Sequence, residues 1–172
     1  MKEVVIFGGS FDPVHKGHIE IIKTLSQNYS KVIVLPNFLN PLKTKSAPAN
    51  LRLKWLYETI DFDNVEISDY EIKQNKPYYT IDSIRYFKQF YDKIYFVIGA
   101  DNLETLDKWK NIDELKKLVE FIVVTRDNIP INGYKTLHID IPISSTDIRN
   151  GKFDLVDSKI RYEVEQFYKG NQ

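Results

Sequence analysis

The sequence predicts a doubly wound α/β domain: a mostly parallel sheet with helices on both faces. Three observations predict it. Short apolar runs rich in β-branched residues recur at 4–7 (VVIF), 31–35 (KVIVL), 94–98 (IYFVI) and 121–125 (FIVVT). Between them lie segments whose apolar residues fall three and four apart, the spacing of a helix buried along one side. The first three runs stop at turn residues, Gly8-Gly9, Pro36-Asn37 and Gly99. Runs that are apolar throughout are buried on both faces, and their alternation with helices is the pattern of a parallel sheet.

The elements follow in order. After strand 4–7 a glycine turn leads into a helix at 16–28, with Ile19, Ile21, Ile22 and Leu25 on its apolar side. Strand 31–35 is next. Asn50 stands where it could cap a helix bearing Leu53, Leu56 and Ile60. Residues 65–67 form a short strand. Thr80 stands at the cap position of a helix with Ile84, Phe87 and Tyr91. Strand 94–98, a helix at 112–117, strand 121–125 and a weaker strand at 137–141 complete the alternation. Residues 144–149 open a short helix closed by Gly151. The last helix carries Ile160, Val164, Phe167 and Tyr168 and stops at Gly170. No repeat, low-complexity tract or linker divides the chain, so 1–172 reads as a single domain. The least regular stretch is 37–49, with Pro41 and Pro48 inside it and Pro36 at its edge. It reads as a long surface loop, and such loops commonly carry function.

Composition narrows the function classes. The 172 residues are enough for one real core, and 42% hydrophobic with 28% charged is globular composition. Basic and acidic residues balance at 24 each, which gives no electrostatic case for nucleic acid or an anionic membrane as partner. Any anion site must be local. The chain has no cysteine, which excludes disulfides and thiolate metal sites. No apolar stretch approaches the ~20 residues of a membrane span, and the short N-terminal run lacks the length of a secretory signal. The cytoplasm is the expected location, and a homo-oligomer is left open.

The strongest chemical signal is the first loop, GGSFDPVHKGH at 8–18. It lies at the carboxyl end of a strand and the start of a helix, where α/β sheets bind ligands. Glycines let backbone approach a phosphate, and the helix start offers unpaired N–H groups and a partial positive charge. His15 and His18 are three apart and share one side of that helix end. They can donate to phosphate oxygens where charge builds in a transition state, or simply cap and pack the helix. The loop matches neither GxGxxG nor GxxxxGK[ST]. A zinc site would need three or four ligands, and only His138 remains as a further histidine; no metal site built from side chains is expected.

A second helix start, ISSTDIR at 143–149, places hydroxyls ahead of an arginine one turn later. Its hydroxyls can cap the helix, or serve a polyphosphate together with the guanidinium. Gly99 and Asp101 follow the strand 94–98, and Asp101 could cap the next helix.

These residues resemble the nucleotidyltransferases with a His-x-Gly-His motif, and most closely the nicotinate-nucleotide adenylyltransferases. The likeness runs through PNFLNPLK, PYYT, IGADNL, Trp109, FIVVTR and ISSTDIR, nearly the whole chain. PYYT and Trp109 favour the nicotinate branch over pantetheine-phosphate or glycerol-phosphate relatives. The resemblance implies a Rossmann-like fold and adenylyl transfer from ATP to nicotinate mononucleotide. It implies ATP binding by Gly8, Gly9, Ser10, Phe11, His15, His18, Gly99, Asp101, Ser144, Ser145, Thr146 and Arg149, with His15, His18 and Arg149 catalytic. It implies Mg²⁺ held mainly by ATP phosphates. The nicotinate ring would stack on Trp109, its carboxylate would meet Tyr79 and Thr80, and Lys43 would hold the acceptor phosphate. Where the family shows Pro-Pro-His-Lys, this chain has Asn40 and Leu42 around Pro41, so only Lys43 keeps the basic group. Arg52 and Arg126 stand as assistants or as surface ion pairs. Transfer to another phosphorylated acceptor such as phosphopantetheine, or an inactive nucleotide-binding module, are the alternatives. The C-terminal helix carries no legible chemistry.

Overall fold

The computed structural model describes residues 2–38, 46–125, 131, 133–139 and 144–170. Six strands form one sheet: β1 (Glu3–Gly9), β2 (Val32–Pro36), β3 (Val65–Ile67), β4 (Lys93–Gly99), β5 (Val119–Thr125) and β6 (Lys135–His138). Their order across the sheet is β3-β2-β1-β4-β5-β6, and every pairing is parallel. The expected sheet, mostly parallel, is parallel throughout these strands. The helices are α1 (Lys16–Asn28), α2 (Ala49–Thr59), α3 (Tyr70–Lys73), α4 (Thr80–Phe87), α5 (Ile112–Leu118), α6 (Ser145–Arg149) and α7 (Arg161–Gly170).

Burial on both faces follows from the pleat. Along β1, Val5 and Phe7 point into one core with Ile22 and Leu25 of α1, Trp55 and Leu56 of α2, and Val164 and Tyr168 of α7. Val4 and Ile6 point into the other core with Ile81, Ile84 and Phe87 of α4 and Leu115 of α5. This two-sided burial is why the strands carry no polar alternation. Among the described residues, no helix is long and apolar enough to cross a membrane.

Three local readings need correction. The residue at the cap position of α2 is Pro48, which makes no side-chain cap bond, and Asn50 lies inside the first turn. Pro48 suits that start because its fixed φ and missing N–H cost nothing ahead of a helix. Thr80 is the first residue of α4, and Tyr79 holds the cap position, again without a side-chain bond. Arg52 is no surface residue: it is 1% exposed within α2. The single-turn α3, which has no periodic signature in the sequence, is held by tertiary contacts. Tyr70 stacks on Tyr86 of α4 with ring centroids 3.8 Å apart, and the Glu71 carboxylate accepts from the Ser83 hydroxyl at 3.0 Å.

Glu71 is buried, and desolvation pushes its carboxyl up to about 7 from an ordinary 4.5, against the lowering effect of the Ser83 bond. The folded chain thus holds this proton more tightly than the unfolded chain. Its contribution to stability is intact below pH 4.5 and is lost as pH rises through 7. Glu71→Gln keeps the acceptor for Ser83 without the charge. It is expected to raise stability at pH 8 by about 1–3 kcal/mol and to leave stability near pH 4.5 almost unchanged. Urea unfolding of both proteins across this range checks the sign; an equal shift at both pH values would contradict it.

Candidate active site

A cavity of about 830 Å³ opens beyond the carboxyl ends of β1, β4 and β5. It lies where the strand order reverses, between β1 and β4, which is where an open parallel sheet splays its loops apart. Gly8 belongs to this junction because a Cβ there would come 3.0 Å from the Phe96 ring of β4. At Gly99 a Cβ would come 2.5 Å from the Asp101 carboxylate, so a side chain there would have to displace Asp101.

Both histidines of the first loop take part in capping α1. His15 is the N-cap of α1, with extended backbone, and its Nδ1 accepts from Gly17 N–H at 3.1 Å and His18 N–H at 3.4 Å. His18 Nδ1 accepts in return from His15 N–H at 3.2 Å. This is a capping box made of two imidazoles. Since each Nδ1 is an acceptor, the neutral rings carry their proton on Nε2, which makes Nε2 the donor. The rings stack with centroids 3.7 Å apart, and both line the cavity. Phe11 packs edge-on against His18 at 4.9 Å and against Phe7 at 5.3 Å, which fixes the His18 ring. The mutual cap and the ring stacking orient both imidazoles.

The second helix start enters the same cavity. Ser144 caps α6: its Oγ accepts from Asp147 N–H at 3.1 Å, and the Asp147 carboxylate accepts from Ser144 N–H at 3.4 Å. Ser144 and Ser145 line the cavity, and Ser145 Oγ donates to the Pro13 carbonyl at 3.2 Å. Arg149 reaches back to the first loop, donating to the Asp12 carbonyl at 2.7 Å, and also bonds Thr146 Oγ1 at 3.2 Å. Two helix N-termini thus point into one space, joined by side chains of α6.

Of the residues expected to bind a nucleotide, Gly8, Gly9, Ser10, Phe11, His15, His18, Gly99, Asp101, Ser144 and Ser145 line this cavity. Thr146 and Arg149 stand beside it. Asp101 lies in a 3-10 turn, exposed, and caps no helix. The other expected group gathers elsewhere. Trp109 packs edge-on against Phe96 and Phe121, at 6.5 and 6.4 Å, over the far core. Lys110 sits over the exposed ring of Tyr79 at 4.5 Å, which brings the PYYT segment beside Trp109. Lys43 and Arg126 lie outside the described residues.

The chain matches the cytidylyltransferase-like family over residues 6–151, from β1 to just past α6. It is 45% identical to a Sulfurimonas denitrificans protein named "probable nicotinate-nucleotide adenylyltransferase", over 98% of this chain and 96% of that one. It is 44% identical to the Sulfurovum protein of the same name, over 97% of this chain and 94% of that one. The chain belongs to the cytidylyltransferase-like family, among the nicotinate-nucleotide adenylyltransferases. In fold it resembles the Plasmodium falciparum nicotinic acid mononucleotide adenylyltransferase complexed with NaAD, with a TM-score of 0.77 at 19% identity over 98% of each chain.

Sequence reasoning missed two residues of this nucleotidyltransferase, Asn37 and Tyr168, and left the part of a third, Arg52, open. The side-chain oxygen of Asn37 is buried without a hydrogen-bond partner in the cavity wall at the end of β2, an acceptor that a ligand hydroxyl or amine would satisfy. An asparagine after a strand-ending proline reads as an ordinary turn, so no local signal marked it. Arg52 and Tyr168 both bond the first loop, from 42 and 156 residues away. A tyrosine on an apolar stripe has a bland reading that hid it, whereas Arg52 had stood as an assistant or a surface ion pair.

Because Ser144 anchors α6, Ser144→Ala is expected to cost about 1 kcal/mol of stability. The check is the urea midpoint, with the same slope; no shift would mean that the cap bonds are not held in solution.

Proposed function

We propose that this chain transfers the adenylyl group of ATP to nicotinate mononucleotide, giving nicotinate adenine dinucleotide and pyrophosphate, a step of NAD biosynthesis. One observation carries it: two Nε2 donors fixed by a mutual cap share a cavity with a second helix N-terminus. That arrangement suits a polyphosphate, and the chain's relatives carry the corresponding name.

The acceptor phosphate attacks the α-phosphorus of ATP in line with the departing pyrophosphate. It is already ionised near neutral pH, so the step needs no general base. Catalysis then rests on alignment, which can supply up to roughly 7–11 kcal/mol, and on stabilising charge as it develops. His15 and His18 donate through Nε2 to the phosphates, with Arg149, Ser144, Ser145 and Thr146 around the triphosphate. Gly8, Gly9, Ser10 and Phe11 form the loop beneath it. Gly99 and Asp101 serve the ribose, where a carboxylate accepts from hydroxyls. Trp109 stacks on the pyridinium, Tyr79 and Thr80 receive the nicotinate carboxylate, and Lys43 holds the acceptor phosphate. Asn37 accepts from a substrate hydroxyl.

Among the described residues, no group of three or more His, Asp or Glu side chains is placed to hold a metal. The hydroxyls and imidazoles present fit an ion that enters already bound to phosphate and water, as Mg²⁺ prefers. Bound there, Mg²⁺ would offset charge on the triphosphate. A cytoplasmic location accords with such a reaction, and assembly into a homo-oligomer stays compatible with it.

Product analysis with ATP and the acid or amide mononucleotide tests the reading. The acid should give dinucleotide and pyrophosphate; turnover only with phosphopantetheine would replace the acceptor. His18→Ala is expected to remain folded, since its cap bond is worth only about 1 kcal/mol, and to lose at least about a hundredfold in kcat. A variant with most of its turnover would remove His18 from the chemistry. Trp109→Ala is expected to raise KM for the mononucleotide about tenfold while KM for ATP barely moves. Equal effects on both substrates would make Trp109 a packing residue.

A further inference from the structure

We propose that Tyr168 is a positioning residue for adenylyl transfer: through the Asp12 carboxylate, the C-terminal helix sets the shape of the loop that holds the nucleotide. This rests on the reaction proposed above.

The loop between β1 and α1 is tied down mainly by side chains from elsewhere. Arg52 of α2 donates to the Ser10 carbonyl at 2.7 Å and to the Ala47 carbonyl at 3.0 Å. Arg149 of α6 donates to the Asp12 carbonyl, and Ser145 to the Pro13 carbonyl. The Asp12 side chain is only 3% exposed. Its Oδ1 accepts from Ala47 N–H at 2.9 Å and from the Tyr168 hydroxyl, and its Oδ2 lies 3.8 Å from the Arg149 guanidinium. Tyr168 is the contribution of α7 to this set.

That contribution is rigid. Tyr168 is 3% exposed, with its ring against Trp55 at 6.1 Å and Phe167 at 4.9 Å. The Trp55 indole N–H donates to Glu163 at 2.8 Å, which ties α7 to α2. Burial and the nearby Asp12 charge push the Tyr168 phenol far above its ordinary value, so it remains a donor at any pH at which the protein works. A buried carboxylate that loses a donor is left undersolvated, and it recovers by moving or by admitting water. Either change shifts residues 10–13, which lie next to His15. Shifts of about 1 Å at a reacting centre can cost a hundredfold in rate.

Tyr168→Phe removes the donor and keeps the ring. It is expected to lower kcat about tenfold and to raise KM for ATP about threefold or more, with KM for the acceptor unchanged. Asp12→Ala with Tyr168→Phe should lose no more than Asp12→Ala alone, because the alanine already removes the acceptor of that bond. Val164→Ala is the control: this core residue of α7, 0% exposed, carries no polar group that could hydrogen-bond the loop. Its truncation should lower thermal stability while kcat and KM stay near those of the parent. Tyr168→Phe with parental kcat and KM for ATP overturns the proposal. So does a Val164→Ala variant with the same kinetic loss, since loosening the helix would then suffice. If the parent chain forms no dinucleotide from nicotinate mononucleotide, the acceptor reading fails. Titration with a non-hydrolysable ATP analogue then decides: affinity unchanged in Tyr168→Phe overturns the positioning role, and weakening of about threefold or more upholds it.

Discussion

A carboxylate withdrawn from water has to be satisfied on every side, and the Asp12 carboxylate is withdrawn almost completely. Its hydrogen-bond donors come from the approach to α2 and from α7, and its ion-pair partner from α6. The first loop is therefore no flexible connector between β1 and α1. It is the place where the near side of the sheet closes on itself. The cost of desolvating Asp12 and Arg52 is offset only when these segments are all in place, which couples the shape of the loop to completion of the fold. Burial lowers the Arg52 guanidinium from its ordinary value, while Asp12 and Tyr168 pull it back up.

The same economy of groups governs the histidines. A helix start leaves N–H groups without partners, and side-chain acceptors commonly fill them. Here Nδ1 of each imidazole is that acceptor, which settles where the proton of each ring resides. Capping and catalysis are usually competing explanations for a polar residue at a helix start. In the proposed reaction the first serves the second, because a ring held through one nitrogen presents the other in a defined direction. Ser144 repeats the logic at α6, where its hydroxyl caps the helix at the edge of the same cavity.

Much of the site was legible because it is local. The first loop and the 143–149 segment are continuous stretches, and their residues meet in space because each follows a strand of a parallel sheet or precedes a helix that returns to it. Asp101 and Gly99 were legible for the same reason. Trp109 and Tyr79 were legible only through resemblance, since nothing in their spacing separates a stacking platform from a packed aromatic. The structure sets the Trp109 ring edge-on against Phe96 and Phe121, which is the packing contact. Arg52 stood open between an assistant and a surface ion pair because a charged residue in a helix is ordinarily exposed; the Ser10 and Ala47 carbonyls explain its burial.

The alternation of apolar runs with 3.6-residue periodicity was enough to dictate a parallel sheet with helices on both faces. Glycines and hydroxyls at the strand and helix ends marked out residues that line the cavity. Such features act within a few residues of one another, so the linear order of side chains records them. Tertiary structure alone settled which residues hold the loop in shape. Tyr168 meets Asp12 across 156 residues, and Arg52 meets Ser10 across 42. Contacts at those separations depend on how whole layers pack. No periodicity or cap preference encodes them, and the C-terminal helix looked chemically silent until it was folded against the loop.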